Sequence, residues 1–180
     1  MPLRILLADD QQMIREALAM ILDLEIDLEV VKQVGRGDEV LSAVRETRPD
    51  VALLDIEMPG ATGIEAAAEL ARSGLRSQTG APVRSLILTT FRRPGYLRRA
   101  LEAGASGFVV KDGTASQLAQ AVRRTAAGLR VVDSVLAEEA KWQGSSPLTG
   151  RETEVLRAAE TAGSVKEIAG MLRLSSGTVR

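Results

Sequence analysis

Apolar residues in the first 130 positions gather into short unbroken runs, separated by longer stretches with helical spacing. The runs are RILLA (4–8), LEVVKQV (28–34), VALLD (51–55), SLILTT (85–90) and GFVVK (107–111). Each has the length of a strand and is close to continuous rather than alternating, which predicts a sheet covered on both faces. Between them the spacing predicts helices over 11–24, 38–47 and 64–73, a fourth that takes in GYLRRALEA behind Pro94, and a fifth over 114–128. Pro49 stops the second helix, because a residue before proline avoids helical geometry. Pro94 stands where a first turn tolerates it, and Gly104 is expected to close the fourth helix. Five such units predict an α/β fold: a doubly wound, five-stranded parallel sheet in the order 2-1-3-4-5.

The first helix carries two apolar stripes. Ile14, Leu18, Ile21 and Leu22 suffice to face a core, and Met13, Ala17, Met20 and Leu24 lie beside them. So wide an arc implies either unusually deep burial or a docked partner.

The pattern changes after about residue 125. Residues 126–147 read as a linker, with room for a short helix from Asp133 and a flexible GSSP spacer. From 148 onward the chain reads as small and all-α. LTGRETEVLRAAE opens a helix on a Thr149–Glu152 capping box, with Val155, Leu156 and Ala159 as its apolar spacing. VKEIAGMLRLSSGTVR adds an inner face of Ile168, Ala169 and Leu172, then a turn and a Ser175 or Ser176 cap for a last helix.

Composition narrows the function. Hydrophobic residues make up 45% and aromatics only 2%, so the cores are aliphatic. The absence of Cys excludes disulfides and thiolate metal sites, and the absence of His excludes a catalytic imidazole. A net charge of −1 signals no strong field for nucleic acid or membrane. The N-terminus lacks a signal-peptide pattern, and no apolar run approaches the ~20 residues of a membrane span. A cytoplasmic protein with no membrane partner is expected.

Chemistry collects at one edge. In doubly wound sheets ligands sit at the carboxyl ends of strands, beside the reversal of strand order. Asp9 and Asp10 follow the first strand, Asp55 ends the third, Thr89 the fourth and Lys111 the fifth. Strands one and three flank the reversal, so three carboxylates share one crevice. Like charges that close are costly unless a cation neutralises them or one is protonated. Oxygen ligands completed by water suit Mg²⁺ better than a full Ca²⁺ cage. Each residue alone has an ordinary structural explanation; the set at one edge does not.

The segments LLADD, LLDIEMPG, LILTTF and GASGFVVKD together resemble the receiver domain of two-component response regulators, over residues 1 to about 125. LTGRETEVL and KEIAGMLRLSSGTVR resemble the helix-turn-helix of the NarL/LuxR (FixJ) class, which is thereby expected over 148–180 and incomplete at its C-terminus. The resemblance implies that Asp55 is the phosphoacceptor for a sensor histidine kinase. Asp10, Asp55 and the backbone carbonyl of Glu57 would hold Mg²⁺, assisted by Asp9. Thr89 would bond the phosphate, Lys111 would pair with it, and Phe108 matches the aromatic switch. It further implies a phosphoacceptor that takes part in its own phosphorylation and dephosphorylation, rather than a turnover enzyme. Phosphorylation is expected to favour a homodimer through Met13, Ala17, Met20 and Leu24 with the fifth helix, and so to control binding to promoter DNA. Thr178, Val179 and Arg180 would face bases, with Lys166 and Arg173 on the backbone. A recognition helix ending at Arg180 should bind an operator poorly. The sequence departs from many receivers in placing Asp112, rather than proline, after Lys111. Two alternatives remain at this point: a Mg²⁺-dependent aspartyl-nucleophile phosphatase, and a regulator that needs no phosphorylation.

Overall fold

The computed structural model describes residues 1–90 and 95–132, with the single positions Ala159, Ser164, Glu167, Ile168 and Gly170. The chain divides into two compact units, Met1–Ala140 and Lys141–Arg180.

The first unit is built on strands β1 (Leu3–Ala8), β2 (Leu28–Val34), β3 (Val51–Asp55), β4 (Arg84–Thr89), β5 (Gly107–Val110) and β6 (Val131–Val132). All pair in parallel, in the order β2-β1-β3-β4-β5-β6. The five expected strands and their order are present. The sheet nevertheless has six strands, not five: Val131 and Val132, expected to belong to the linker, pair with Gly107 and Phe108. Two residues carry no periodicity of their own. They become a strand because the β5 edge offers unpaired backbone groups.

The helices are α1 (Gln12–Asp23), α2 (Val40–Thr47), α3 (Gly63–Ser73), α4 (Tyr96–Glu102) and α5 (Ala115–Ala126). A 3₁₀ turn at Gly37–Glu39 precedes α2, where the sequence predicts that helix to begin at Asp38. The second helix ends on Arg48, in the left-handed region at φ 47°, just before Pro49. Ala103 closes α4, and Gly104 follows at φ 87°, a conformation that favours glycine. Pro94 lies outside the described residues.

Strand alternation sorts the core into two layers. Ile5, Leu7, Leu53, Leu86 and Leu88 pack with Ala19 and Leu22 of α1 and Leu118 and Val122 of α5. Leu6, Leu54, Ile87 and Phe108 share the opposite layer with α2, α3 and α4. Because both faces are covered, no strand position inside the sheet can be polar without cost, hence the continuous apolar runs. Each fully buried Leu contributes about 1.5–3 kcal/mol. Among the described residues no helix is long and apolar enough to cross a membrane.

In the second unit Ala159, Glu167, Ile168 and Gly170 are helical. The Ser164 Oγ accepts from the Glu167 amide at 3.3 Å, as a helix cap does, and Ile168 is buried. Ala159 is exposed. The helix expected from Asp133 and the Thr149–Glu152 box lie outside the described residues, as do Lys166, Arg173, Thr178, Val179 and Arg180.

Candidate phosphoacceptor site

Three strand ends build the site. Strands β1, β3 and β5 deliver Asp9 and Asp10, Asp55, and Lys111 to one edge, and one carboxylate oxygen from each of Asp9, Asp10 and Asp55 lies within 4.8 Å of the others. Lys111 Nζ stands 2.6 Å from Asp9 Oδ2 and 3.1 Å from Asp55 Oδ1. All three of these side chains are buried, whereas Asp10 is exposed.

The adjacent aspartates therefore differ in task. Asp9 is fully engaged: its Oδ1 accepts the Gln11 amide at 3.0 Å, its Oδ2 accepts Lys111, and its own amide donates to Val34. Its charge is paired with the Lys111 ammonium. Asp10 is exposed, and one oxygen of each of the three carboxylates remains close enough to the others to share a cation. Two carboxylates completed by water match the demand of Mg²⁺, which keeps much of its hydration. The donor set fits that ion.

Asp55 is buried, and burial pushes its carboxyl above the usual carboxylate range, with the Asp9 charge adding to the rise. The Lys111 ammonium opposes both, by charge and by hydrogen bond. A carboxylate held under that tension gains when a further cation arrives.

Thr89 stands at the carboxyl end of β4, whereas Phe108 lies within β5, paired with Ile87. The Lys111 amide donates to the Thr89 carbonyl at 2.8 Å, tying the end of β4 to the end of β5. Thr89 is buried one position beyond Leu88, the β4 residue paired with Asp55. Phe108 is 1% exposed, its ring within the α2–α4 layer that also holds Leu97 and Ala100. Glu57 is exposed on the loop between β3 and α3.

That loop is fixed at both ends. The Gly63 amide donates to Ile56 at 3.0 Å, and a Cβ at Gly63 would overlap the carbonyl oxygen of Asp55. Thr62 and Glu65 form a reciprocal capping box that starts α3. The Gly37 amide reaches Pro59 at 3.1 Å, bracing the loop from the β2 side. Thr62 and Glu65 carry the local signature T-x-x-E, whereas the contacts of Gly37 and Gly63 leave no local signal in the sequence.

The second stripe of α1 faces outward. Met13, Met20 and Leu24 are 83%, 72% and 85% exposed, and Ala17 is exposed between them. Deep burial is thus not the reason for the wide apolar arc.

A parallel sheet that brings an acidic trio and a lysine to its carboxyl edge defines a receiver domain. Residues 5–123 match the response regulator receiver domain family, and the chain belongs to that family as a two-component response regulator. It is 43% identical over 176 residues to the transcriptional regulatory protein DesR of Bacillus subtilis (strain 168), covering 98% of this chain and 84% of that relative. The uncharacterized transcriptional regulatory protein YvfU of the same organism is also 43% identical, over 99% of this chain and 86% of its own length. Among solved structures, a LuxR-family two-component response regulator from Aurantimonas sp. SI85-9A1 is 31% identical with a TM-score of 0.71, covering 81% of this chain and 100% of that one. The family assignment favours the regulator reading over the phosphatase reading.

Proposed function

We propose that Asp55 accepts a phosphoryl group from a phosphohistidine of a sensor histidine kinase and that the modified protein dimerises to control transcription. The observation that carries this reading is the placement of Lys111 between Asp9 and Asp55, with the Asp10 carboxylate alongside. An Asp55 carboxylate oxygen attacks phosphorus in line. A P–O bond forms, the P–N bond breaks, and its electron pair leaves with the donor imidazole. Asp10, Asp55 and the Glu57 carbonyl are the groups proposed to hold Mg²⁺, which supplies neutralising charge for the phosphoryl oxygens. Lys111 exchanges one carboxylate contact for those oxygens, and the Thr89 hydroxyl donates to them.

The switch is a packing change. Thr89 moves toward the phosphate, and Phe108 turns into the space it leaves. Driving a population from 1:99 to 99:1 requires about 5.5 kcal/mol of differential interaction. A charge-assisted bond and an ion pair, at up to ~3 kcal/mol each, together approach that figure.

The partner surface is the exposed stripe Met13, Ala17, Met20 and Leu24, set against the α5 of a second copy. The proposed division is a receiver over 1–125, a linker over 126–147 and a LuxR-type helix-turn-helix over 148–180. In the last, Thr178, Val179 and Arg180 read promoter bases while Lys166 and Arg173 hold the backbone. Relatives named as transcriptional regulatory proteins support a role in transcription; a cytoplasmic location is proposed with it. Light scattering with acetyl phosphate and Mg²⁺ tests the reading. The wild type should become dimeric, while Asp55→Asn and Met20→Asp should stay monomeric. A donor-independent dimer, or a Met20→Asp dimer, would contradict it.

A further inference from the structure

Helix α1 starts without the usual aids. Its N-cap, Gln11, makes no side-chain cap bond, and its first turn has no acidic residue. The preceding turn is held instead by bonds converging on Asp9. The Asp9 amide donates to Val34, and its Oδ1 accepts the Gln11 amide. Its carbonyl oxygen accepts Arg15 Nη1, which reaches back from the first turn of α1. The guanidinium crosses beside Gly35, where a Cβ would come to 3.4 Å from Nη1.

The bonded carbonyl belongs to the peptide plane that joins Asp9 to Asp10. That plane is rigid, so fixing its oxygen places the Asp10 Cα, and the Gln11 amide held by Asp9 Oδ1 fixes the next peptide; the two bonds together restrict where the Asp10 side chain points. Among the described residues no hydrogen bond holds the Asp10 carboxylate, which is exposed. Its aim depends on the main chain beneath it.

We infer that Arg15 is a positioning residue for Asp10: it clamps the Asp9–Asp10 peptide and so sets the cation affinity of the site without touching the cation. This rests on the proposed Mg²⁺ site. Outer groups that orient a ligand typically change metal affinity by about 10–100-fold when removed. The guanidinium also carries positive charge, which by itself opposes cation binding. The two roles therefore differ in sign.

The test is Mg²⁺ titration calorimetry on the metal-stripped 180-residue chain, with hydrogen exchange of the Gln11 amide followed in EDTA. Arg15→Met should weaken Mg²⁺ binding about ten-fold and speed Gln11 exchange, while circular dichroism stays native. Arg15→Lys, which keeps the charge and one donor, should fall between Arg15→Met and the wild type. Unchanged or tighter Mg²⁺ binding by folded Arg15→Met overturns the inference, tighter binding being the mark of charge acting alone. If Arg15→Met does not fold, Arg15→Lys decides: weaker binding supports the clamp and unchanged binding overturns it. A wild type that binds no Mg²⁺ would overturn the metal site itself.

Discussion

Replacing Lys111 by Met removes the only cation recorded in an ion pair with the Asp9 and Asp55 carboxylates among the described residues. Its Nζ contacts, at 2.6 and 3.1 Å, each correspond to ~5–6 kcal/mol of attraction at an effective dielectric of ~20. Much of that gross figure is offset by the cost of burying the ammonium itself. Removing one partner of a buried pair typically costs ~3–5 kcal/mol net. Protonation sets a ceiling, because the protein can instead neutralise one buried carboxyl. At pH 7, protonating a group with an ordinary value near 4 costs ~4 kcal/mol. The expected loss for Lys111→Met at pH 7 is therefore ~3–4 kcal/mol. The variant's buried carboxyl has a folded-state pKa above its unfolded value. Its penalty is absent below the unfolded value, grows as pH rises toward the folded one, and so shrinks by up to ~1.4 kcal/mol for each pH unit below 7. Urea unfolding of the full chain in EDTA, followed by far-UV circular dichroism at pH 5, 6 and 7, measures this directly. Added Mg²⁺ should then stabilise the variant more than the wild type, since no ammonium competes for the carboxylates. A variant within ~1 kcal/mol of the wild type at pH 7, with the same Mg²⁺ response, would refute the assigned role of Lys111.

Further outcomes follow from the same geometry. Gly63→Ala must push the start of α3 off the Asp55 carbonyl, so it should cost ~1–3 kcal/mol by urea unfolding and slow acetyl-phosphate labelling; wild-type values for both would contradict the close approach. Asp55→Asn removes a carboxylate that burial keeps above its usual range. It should raise the melting temperature in EDTA at pH 7, and the gain should vanish as pH falls below ~4, where the wild-type carboxyl is protonated in both folded and unfolded states. A gain that grew toward acid pH would reverse the sign assigned here. Two positions apart on α1, Leu22→Ala should cost ~2–5 kcal/mol while Met20→Ala stays within ~0.5, because Leu22 is fully buried and Met20 is exposed; equal losses would mean a different helix orientation.

The sheet was legible because burial on both faces leaves strands no choice but continuous apolar runs, and five of them stand out. Val131–Val132 was not, because a two-residue strand is created by its neighbour's edge rather than by its own pattern. Likewise, the onset of α2 reflects a tertiary bond between Gly37 and Pro59 that shapes the turn at Gly37–Glu39. At the site, topology alone brought Asp9, Asp10, Asp55 and Lys111 together, since their strand ends are fixed by sheet order. Which of the two adjacent aspartates turns inward was not readable: Asp9 is buried by its bonds to Gln11 and Lys111, and one of those partners is 102 residues away. Arg15 was invisible for a similar reason, as a side chain bonding a backbone carbonyl leaves no spacing rule. The outward aim of Met13, Met20 and Leu24 was left open by the sequence and decided by the packing of Leu22.

The central claim is that phosphorus is carried by Asp55. Incubating the full chain with acetyl phosphate and Mg²⁺, trapping the acyl phosphate by borohydride reduction and mapping peptides by mass spectrometry locates it. The reduced residue should lie at position 55 alone, and none should appear when Mg²⁺ is chelated or Asn replaces Asp55. Reduction at another carboxylate, or undiminished labelling of Asp55→Asn, would contradict it.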